Sequence, residues 1–304
     1  MAVVTARAPV LQSVEGAIGN TPLVRLDEPD LPPRVELWAK CEWLNPGGSV
    51  KDRTALSLVL EGERGGRLRR GHTIIDSSSG NTAVGLALVG RARGYAVELV
   101  MPANVSPGRR RLCEAYGAQV LETDPLLGSD GALEHVRALV AAAPERYFYA
   151  DQYRSPANPL AHFRGTGPEI WEQTDGRLTH FVAGLGTSGT VMGVGRFLRE
   201  RNPRAVIVAV EPDDAFHGLE GLKHMASSIV PAFYDPAGHD VLVPVRTEEG
   251  IAAAEDALTR HGLLVGHSAG AALWAARRVA AGLSAGVVVA LLPDGGERYL
   301  EGRA

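Results

Sequence analysis

Cysteine, lysine, long apolar runs and repeats are all scarce in this chain, and each shortage removes a class of protein. Two cysteines, Cys41 and Cys113, cannot build a disulfide framework across 304 residues. They fit a reducing compartment. No run of about 18 apolar residues occurs, so no transmembrane helix is expected. The opening MAVVTARAPVLQSVEG is broken by Arg7 and Pro9 and does not read as a secretory leader. A net charge of −4 leaves no electrostatic footprint for nucleic acid or an anionic membrane. No short-period repeat or low-complexity linker is visible. A soluble, cytoplasmic protein working on small molecules is expected. Lysine is the sharpest shortage: of 31 basic residues, only Lys40, Lys51 and Lys223 are lysines. Lysine sheds its proton and forms Schiff bases far more readily than arginine does. Each of the three therefore raises a question.

What is present is an ordinary globular balance, 45% apolar and 22% charged. The length suits about two domains. Strand-like runs at 34–44, 73–79, 96–102, 118–124 and 147–153 alternate with helix-like runs at 50–66, 82–94, 106–117 and 130–143. The alternation resumes with a helix at 158–174, strands at 179–184, 205–212 and 286–294, and helices at 190–200, 248–262 and 269–282. Apolar strands alternating with helices predict an α/β protein with mostly parallel sheets covered on both faces. Two such runs, meeting near residue 155, predict two α/β domains. The segment 213–246 resists assignment and reads as a long functional loop.

Four strand-to-helix turns carry chemistry. In Asn45-Pro46-Gly47-Gly48-Ser49-Val50-Lys51-Asp52, the glycines permit tight backbone geometry and Ser49 can cap the helix. Lys51 then falls in the first turn, where the helix terminus repels a cation and favours a neutral, nucleophilic amine. A surface lysine beside a plain turn fits equally well. Ser77-Ser78-Ser79-Gly80-Asn81-Thr82 offers hydroxyls and free N–H groups at a helix start, a place for a carboxylate. An N-cap with spare serines is the plainer account.

Gly184-Leu185-Gly186-Thr187-Ser188-Gly189-Thr190 has G-x-G-x-x-G spacing, with Glu211 ending the next strand, as in a dinucleotide fingerprint. The hydroxyls of Thr187, Ser188 and Thr190 suit a terminal phosphate monoester better. Gly266-His267-Ser268-Ala269-Gly270 matches the hydrolase elbow G-x-S-x-G, but no histidine follows Ser268. Ser268 then reads as a cap or a cofactor contact. His217 and His224, seven residues apart, lack a metal-ligand spacing, and no metal site is expected. Both cysteines read as packing residues.

In order along the chain come N-P-G-G-S-V-K-D-R, S-S-S-G-N-T, D-Q-Y…N-P, T-G-P-E-I-W, G-T-S-G-T and G-E-R-Y-L. In this set the chain resembles the cysteine synthase family, pyridoxal-phosphate enzymes of fold type II (tryptophan synthase β-like), from about Gly19 to Leu300. It is most similar to the B-type and O-phosphoserine-using members. The resemblance implies a smaller domain at 38–155 carrying the substrate loop. A larger domain, 1–37 plus 156–304, then carries the phosphate cradle. A homodimer is also implied.

By the same resemblance, Lys51 holds pyridoxal 5′-phosphate as a Schiff base and serves as the catalytic base. Asn81 bonds the cofactor's 3′-oxygen. Gly186, Thr187, Ser188, Gly189 and Thr190 cradle its phosphate, and Ser268 faces the pyridine nitrogen. Ser78, Ser79, Gly80, Thr82 and Gln152 grip the substrate carboxylate. Lys223 stands where relatives carry arginine and would meet an anionic group. The implied reaction is β-replacement on O-acetyl-L-serine, with O-phospho-L-serine as second choice. Sulfide gives L-cysteine and thiosulfate gives S-sulfocysteine. Cystathionine- or diaminopropionate-type synthesis shares these motifs. An NAD(P)-dependent dehydrogenase using residues 184–189 is the reading from a different class.

Departures from the family pattern are Ser78 for threonine, Ser188 for glycine or threonine, and His267 and Ala269 around Ser268. The sequence also ends four residues after Leu300, without the family's usual tail.

Overall fold

A computed structural model describes residues 10–300. Its strands are β1 (Leu23–Leu26), β2 (Val35–Cys41), β3 (Thr73–Ser77), β4 (Ala96–Pro102), β5 (Gln119–Thr123), β6 (Tyr147–Tyr149), β7 (His180–Gly184), β8 (Val206–Pro212), β9 (Val241–Val245) and β10 (Gly286–Leu292). Its helices are α1 (Lys51–Arg64), α2 (Asn81–Arg93), α3 (Pro107–Ala115), α4 (Gly128–Ala142), α5 (Ala157–Ala161), α6 (Gly167–Gln173), α7 (Gly189–Arg201), α8 (Thr247–His261) and α9 (His267–Ala281). Two sheets result. One runs β1-β2-β10-β7-β8-β9, the other β5-β4-β3-β6. Every pairing is parallel except β1 with β2. The α/β class and the mostly parallel sheets stand as expected.

The continuous apolar run of β10 explains its central place. Successive side chains point to opposite faces of a strand. Val288, Ala290 and Leu292 pack on one side with Ala269, Ala272, Leu273 and Ala276 of α9. Val289 and Leu291 pack on the other side with Ile170 of α6 and Val191, Val194 and Leu198 of α7. A strand covered on both faces cannot alternate apolar with polar. The smaller sheet repeats the arrangement. Ile74 joins Leu58 of α1 and Leu86 of α2, while Ile75 joins Val136 of α4.

Two expectations need correction, at 213–246 and 158–174, and the division at residue 38 falls within a strand. The division at residue 38 cuts through β2, which pairs with β10 from Val35 to Cys41. Residues 38–41 thus belong to the six-stranded sheet, while β3 to β6 all fall inside 38–155. Strand β9 lies inside the segment left unassigned. It is a mostly exposed edge strand interrupted by Pro244, so it lacks the apolar run of a central strand. The helix expected at 158–174 is α5, a π-helical turn at His162–Thr166, and α6. Residues 1–9 of the opening segment and the last four residues, on which the leader and tail expectations partly rest, lie outside the described residues. Among the described residues no helix is long and apolar enough to cross a membrane. Both cysteines are buried in cores, and burial pushes the Cys41 thiol up to about 12 and the Cys113 thiol up to about 11.

A buried charge network joins β2, α1 and α6. Lys40, fully buried, donates to the Thr21 carbonyl at 2.6 Å, Glu169 Oε2 at 2.7 Å and Gln173 Oε1 at 2.9 Å. Arg53 grips two carboxylates at once. It reaches Glu42 through Nε and Nη2 at 2.7 and 2.8 Å, and Glu169 through Nη1 and Nη2 at 2.6 and 2.7 Å. Burial alone would raise the Glu169 carboxyl, but Arg53 and then Lys40 overcome it and hold it down at about 2. We expect Glu169→Gln to cost roughly 3 kcal/mol in urea unfolding, because it strands buried cations. The wild-type contribution is fully present above the ordinary value of 4.5 and fades as the pH falls towards 2. The variant should show a flatter acid limb.

Candidate active site

In parallel sheets, strand ends and the helix starts that follow them face one crevice. Here the segments after β2, β3, β7 and β10 meet in this way. Gly48 turns the first with φ +79, a left-handed value that favours glycine. Lys51 opens α1, and its backbone N–H donates to Ser49 Oγ at 3.2 Å. Ser49 therefore satisfies a first-turn donor, although Val50 flanks the helix. Burial lowers the Lys51 pKa, and the Asp294 charge opposes this only in part. The neutral amine expected from the helix terminus is thus favoured mainly by desolvation.

The second turn places Ser78, Ser79 and Gly80 ahead of Asn81, the first residue of α2. Thr82 Oγ1 donates to Gln152 Oε1 at 2.6 Å, and Gln152 Nε2 donates to the Ser77 carbonyl at 3.2 Å. Asp76 accepts the Gln152 backbone N–H at 3.2 Å. Residues far apart in sequence are thereby fixed as one polar wall.

The third turn is crowded from behind. A Cβ on Gly186 would lie 2.3 Å from the Gly221 carbonyl oxygen, and one on Gly189 would lie 1.9 Å from Asn158 Oδ1. Packing alone thus demands both glycines. Asn158 Nδ2 donates to Thr187 Oγ1 at 3.0 Å. Thr190 Oγ1 lies 3.4 Å from Nε2 of buried His162. Burial, then the Arg53 and Lys51 charges, push that imidazole well below its usual pKa, so it is neutral. Ser188 has φ +64, and its buried Oγ has no partner. Successive N–H groups around a left-handed residue at a helix start form an anion nest. Ser268, second in α9, is buried, with its Oγ 3.8 Å from where a Cβ on Gly221 would sit.

A cavity of about 590 Å³ brings together Lys51, Ser78, Ser79, Gly80, Asn81, Thr82, Gln152, Gly186, Thr187 and Lys223. Ser188, Gly189, Thr190 and Ser268 lie at the starts of α7 and α9 and are not part of its lining. Lys223 Nζ lies 5.0 Å from the centre of the Tyr153 ring. Burial lowers its pKa, with the Asp130 charge opposing.

Sequence reasoning did not single out Arg109 and Glu220, which pair in the cavity lining, or Asp294, Arg298 and Tyr299 beside Asn81. The only sequence signal for Asp294 was its place just past a central apolar strand. Glu211, which a dinucleotide site would turn towards a ribose, instead accepts the Met225 N–H at 3.0 Å. Among the described residues no group of three or more His, Cys, Asp or Glu could hold a metal.

The geometry suits pyridoxal phosphate. A desolvated amine can meet an aldehyde, and the N–H nest around Ser188, with Gly186 and Thr187 in the cavity lining, can take a phosphate. The model of the family "pyridoxal-phosphate dependent enzyme" matches residues 14–294. Cysteine synthase of Aquifex aeolicus is 51% identical over 93% of this chain and 89% of its own. Cysteine synthase B of Salmonella typhimurium is 38% identical over 95% of both chains. The solved O-acetyl serine sulfhydrylase isoform 3 of Entamoeba histolytica superposes with a TM-score of 0.93 at 33% identity, covering 99% of this chain and 93% of that one.

Ser188→Gly separates strain from ligand contact. Removing the left-handed strain should stabilise the cofactor-free protein by about 1 kcal/mol in denaturant melts. Cofactor binding in equilibrium dialysis should stay within about twofold, because the Ser188 oxygen is buried away from the cavity and the N–H groups that form the nest remain.

Proposed function

Since the chain belongs to the pyridoxal-phosphate-dependent enzymes and, among them, to the cysteine synthase family, we propose that it makes L-cysteine by β-replacement on O-acetyl-L-serine. Sulfide is the sulfur donor in this reading, and thiosulfate would give S-sulfocysteine. The observation that carries it is the placing of Lys51. A desolvated amine shares one cavity with Gly186 and Thr187 of the anion nest and with the hydroxyl-rich start of α2. We take the two sheets as the cores of two domains, so that one bound substrate bridges them. The homodimer follows from the family resemblance, and the cytoplasmic location from the scarcity of cysteine.

Bound pyridoxal phosphate supplies an aldehyde for Lys51 and an electron sink for breaking the Cα–H bond. Gly186 to Thr190 hold its phosphate at the start of α7, and Asn81 meets its 3′-oxygen. Ser268 offers the pyridine nitrogen a neutral hydroxyl. A hydroxyl cannot stabilise a full positive charge there as a carboxylate would, so electron withdrawal is moderated and β-replacement is favoured over transamination. Ser78, Ser79, Gly80 and Thr82, with Gln152, orient the substrate carboxylate towards the start of α2. Lys51 Nζ, freed when the substrate amine binds, takes the Cα proton and later returns one. Acetate leaves from Cβ and the sulfur nucleophile takes its place. Lys223 faces the cavity as a cation that an anionic donor can meet.

The deciding experiment is the visible spectrum of the holoenzyme before and after each donor. O-acetyl-L-serine should bleach the yellow band, and sulfide should restore it with release of L-cysteine. A response to O-phospho-L-serine alone moves the donor assignment, and no yellow band sinks the reading. Lys51→Ala should lose about 10³-fold or more in rate and retain no cofactor after borohydride reduction. Lys223→Ala should raise KM about tenfold for O-phospho-L-serine or thiosulfate, the worth of one charge-assisted hydrogen bond. It should leave KM for O-acetyl-L-serine nearly unchanged.

A further inference from the structure

The side-chain amide of Asn81 is held at both ends by opposite charges. Its Nδ2 donates to Asp294 Oδ2 at 2.8 Å, and its Oδ1 accepts from Arg298 Nη1. The other terminal nitrogen of Arg298 donates to the carbonyl of Gly47, in the turn that leads to Lys51. Asp294 is buried, follows the central strand β10, and accepts the Tyr299 hydroxyl at 2.8 Å. Its second oxygen, Oδ1, is buried without a partner. These groups come from opposite sides of the cleft. Asn81 starts the helix after β3 of the four-stranded sheet, while Asp294 and Arg298 extend the six-stranded one.

The chemistry of an amide gives this arrangement a consequence. Rotation by half a turn exchanges the oxygen for the NH₂ with almost no change of shape. For an unconstrained asparagine, the two orientations therefore differ little in packing. At Asn81 the rotated form would set an oxygen against the Asp294 carboxylate and an NH₂ against the Arg298 guanidinium. Two charge-assisted bonds would become two repulsions. Nδ2 carries two protons, and Asp294 takes one. The oxygen is occupied by a cation. The one donor the side chain still has free is the second N–H, while its oxygen stays turned to the guanidinium.

We infer that Asp294 and Arg298 are positioning residues that lock the Asn81 amide with its single free N–H turned to the cofactor's 3′-oxygen. The inference rests on the reading above, which sets Asn81 against that oxygen. It adds that the donor is selected by a charge pair on the opposite lobe. A donor there favours the oxygen in its anionic form, and the visible colour of the bound cofactor reports that form. A purely structural clamp would not move the colour.

The test compares purified holoenzymes without substrate. The proteins are wild type, Asn81→Ala, Asp294→Asn, Arg298→Met, and each of the last two combined with Asn81→Ala. Circular dichroism checks that each has folded. Asp294→Asn keeps the shape but makes the rotated amide permissible. We expect it to shift absorbance from the visible to the near-ultraviolet band, in the direction of Asn81→Ala. It should also weaken cofactor binding about three- to tenfold, the range for one lost hydrogen bond. In the Asn81→Ala background the same change should have less than about a twofold effect, because coupled residues are not additive. Arg298→Met should behave alike, and it decides the matter where Asp294→Asn does not fold. Wild-type spectra in both variants beside a shifted Asn81→Ala would overturn the inference and leave the reading of Asn81 intact. Effects that multiply fully in the doubles would overturn it as well. A wild-type spectrum in Asn81→Ala would instead remove Asn81 from the 3′-oxygen, and the inference would fall with it.

Discussion

Arg53 gripping Glu42 and Glu169 together is the contact on which the rest of the molecule turns. The guanidinium sits two residues beyond Lys51, in the same helix turn, and its two partners come from opposite sides of the chain's crossing between sheets. Glu42 directly follows β2, while Glu169 lies in α6 and also holds Lys40. Two carboxylates and two cations share one desolvated space, so no member can leave without stranding a charge. Position and orientation of α1 are fixed by that requirement. Lys51, two residues before Arg53 on that helix, is thereby held in the cavity lining. His162 completes the region, since burial and then the Arg53 charge hold its ring neutral, and a neutral ring can sit against Thr54 and Thr190.

Much of this was legible in the amino-acid sequence where one physical pattern decided the outcome. The run Val287–Leu292 is apolar at every position, and only a strand covered on both faces accommodates that. The turn before Lys51 announced itself through paired glycines, and the 184–190 segment through glycines and hydroxyls between a strand and a helix. Elements that depend on a neighbour were harder to see. Strand β9 carries Pro244 and exposed Val241 and Leu242, and it exists because β8 offers it an edge. Residues 38–41 read as the start of one domain, yet pairing with β10 assigns them to the other sheet.

Within the site, the same division holds. Lys51 and Ser188 were visible because their own residue types are odd for their positions. Gln152 becomes meaningful through Thr82 and Asp76, contacts that span 70 and 76 positions in sequence. Asp294 and Arg298 acquire a role only once Asn81 is brought to them from 213 and 217 positions away. Arg109 and Glu220 pair across 111 positions in the cavity lining. Local spacing carries no trace of such partnerships, because they are created by the meeting of two sheets.

The glycines of the 184–190 turn bear on how such motifs are read in any chain. Gly186 is required by the Gly221 carbonyl and Gly189 by Asn158, whatever ligand lies in front of them. A descendant that had given up its cofactor would still have to keep both, to preserve the fit of its own loops. Their presence is therefore an inherited signature of architecture and says little about present occupancy. The hydroxyl of Ser188 is different. It is held in a costly backbone conformation with its oxygen unpaired, and nothing in the packing asks for it. That position is free to vary, and the glycine or threonine of relatives fits there equally well. Variation there reports what the turn tolerates, and constancy at the glycines reports what the loops behind it require.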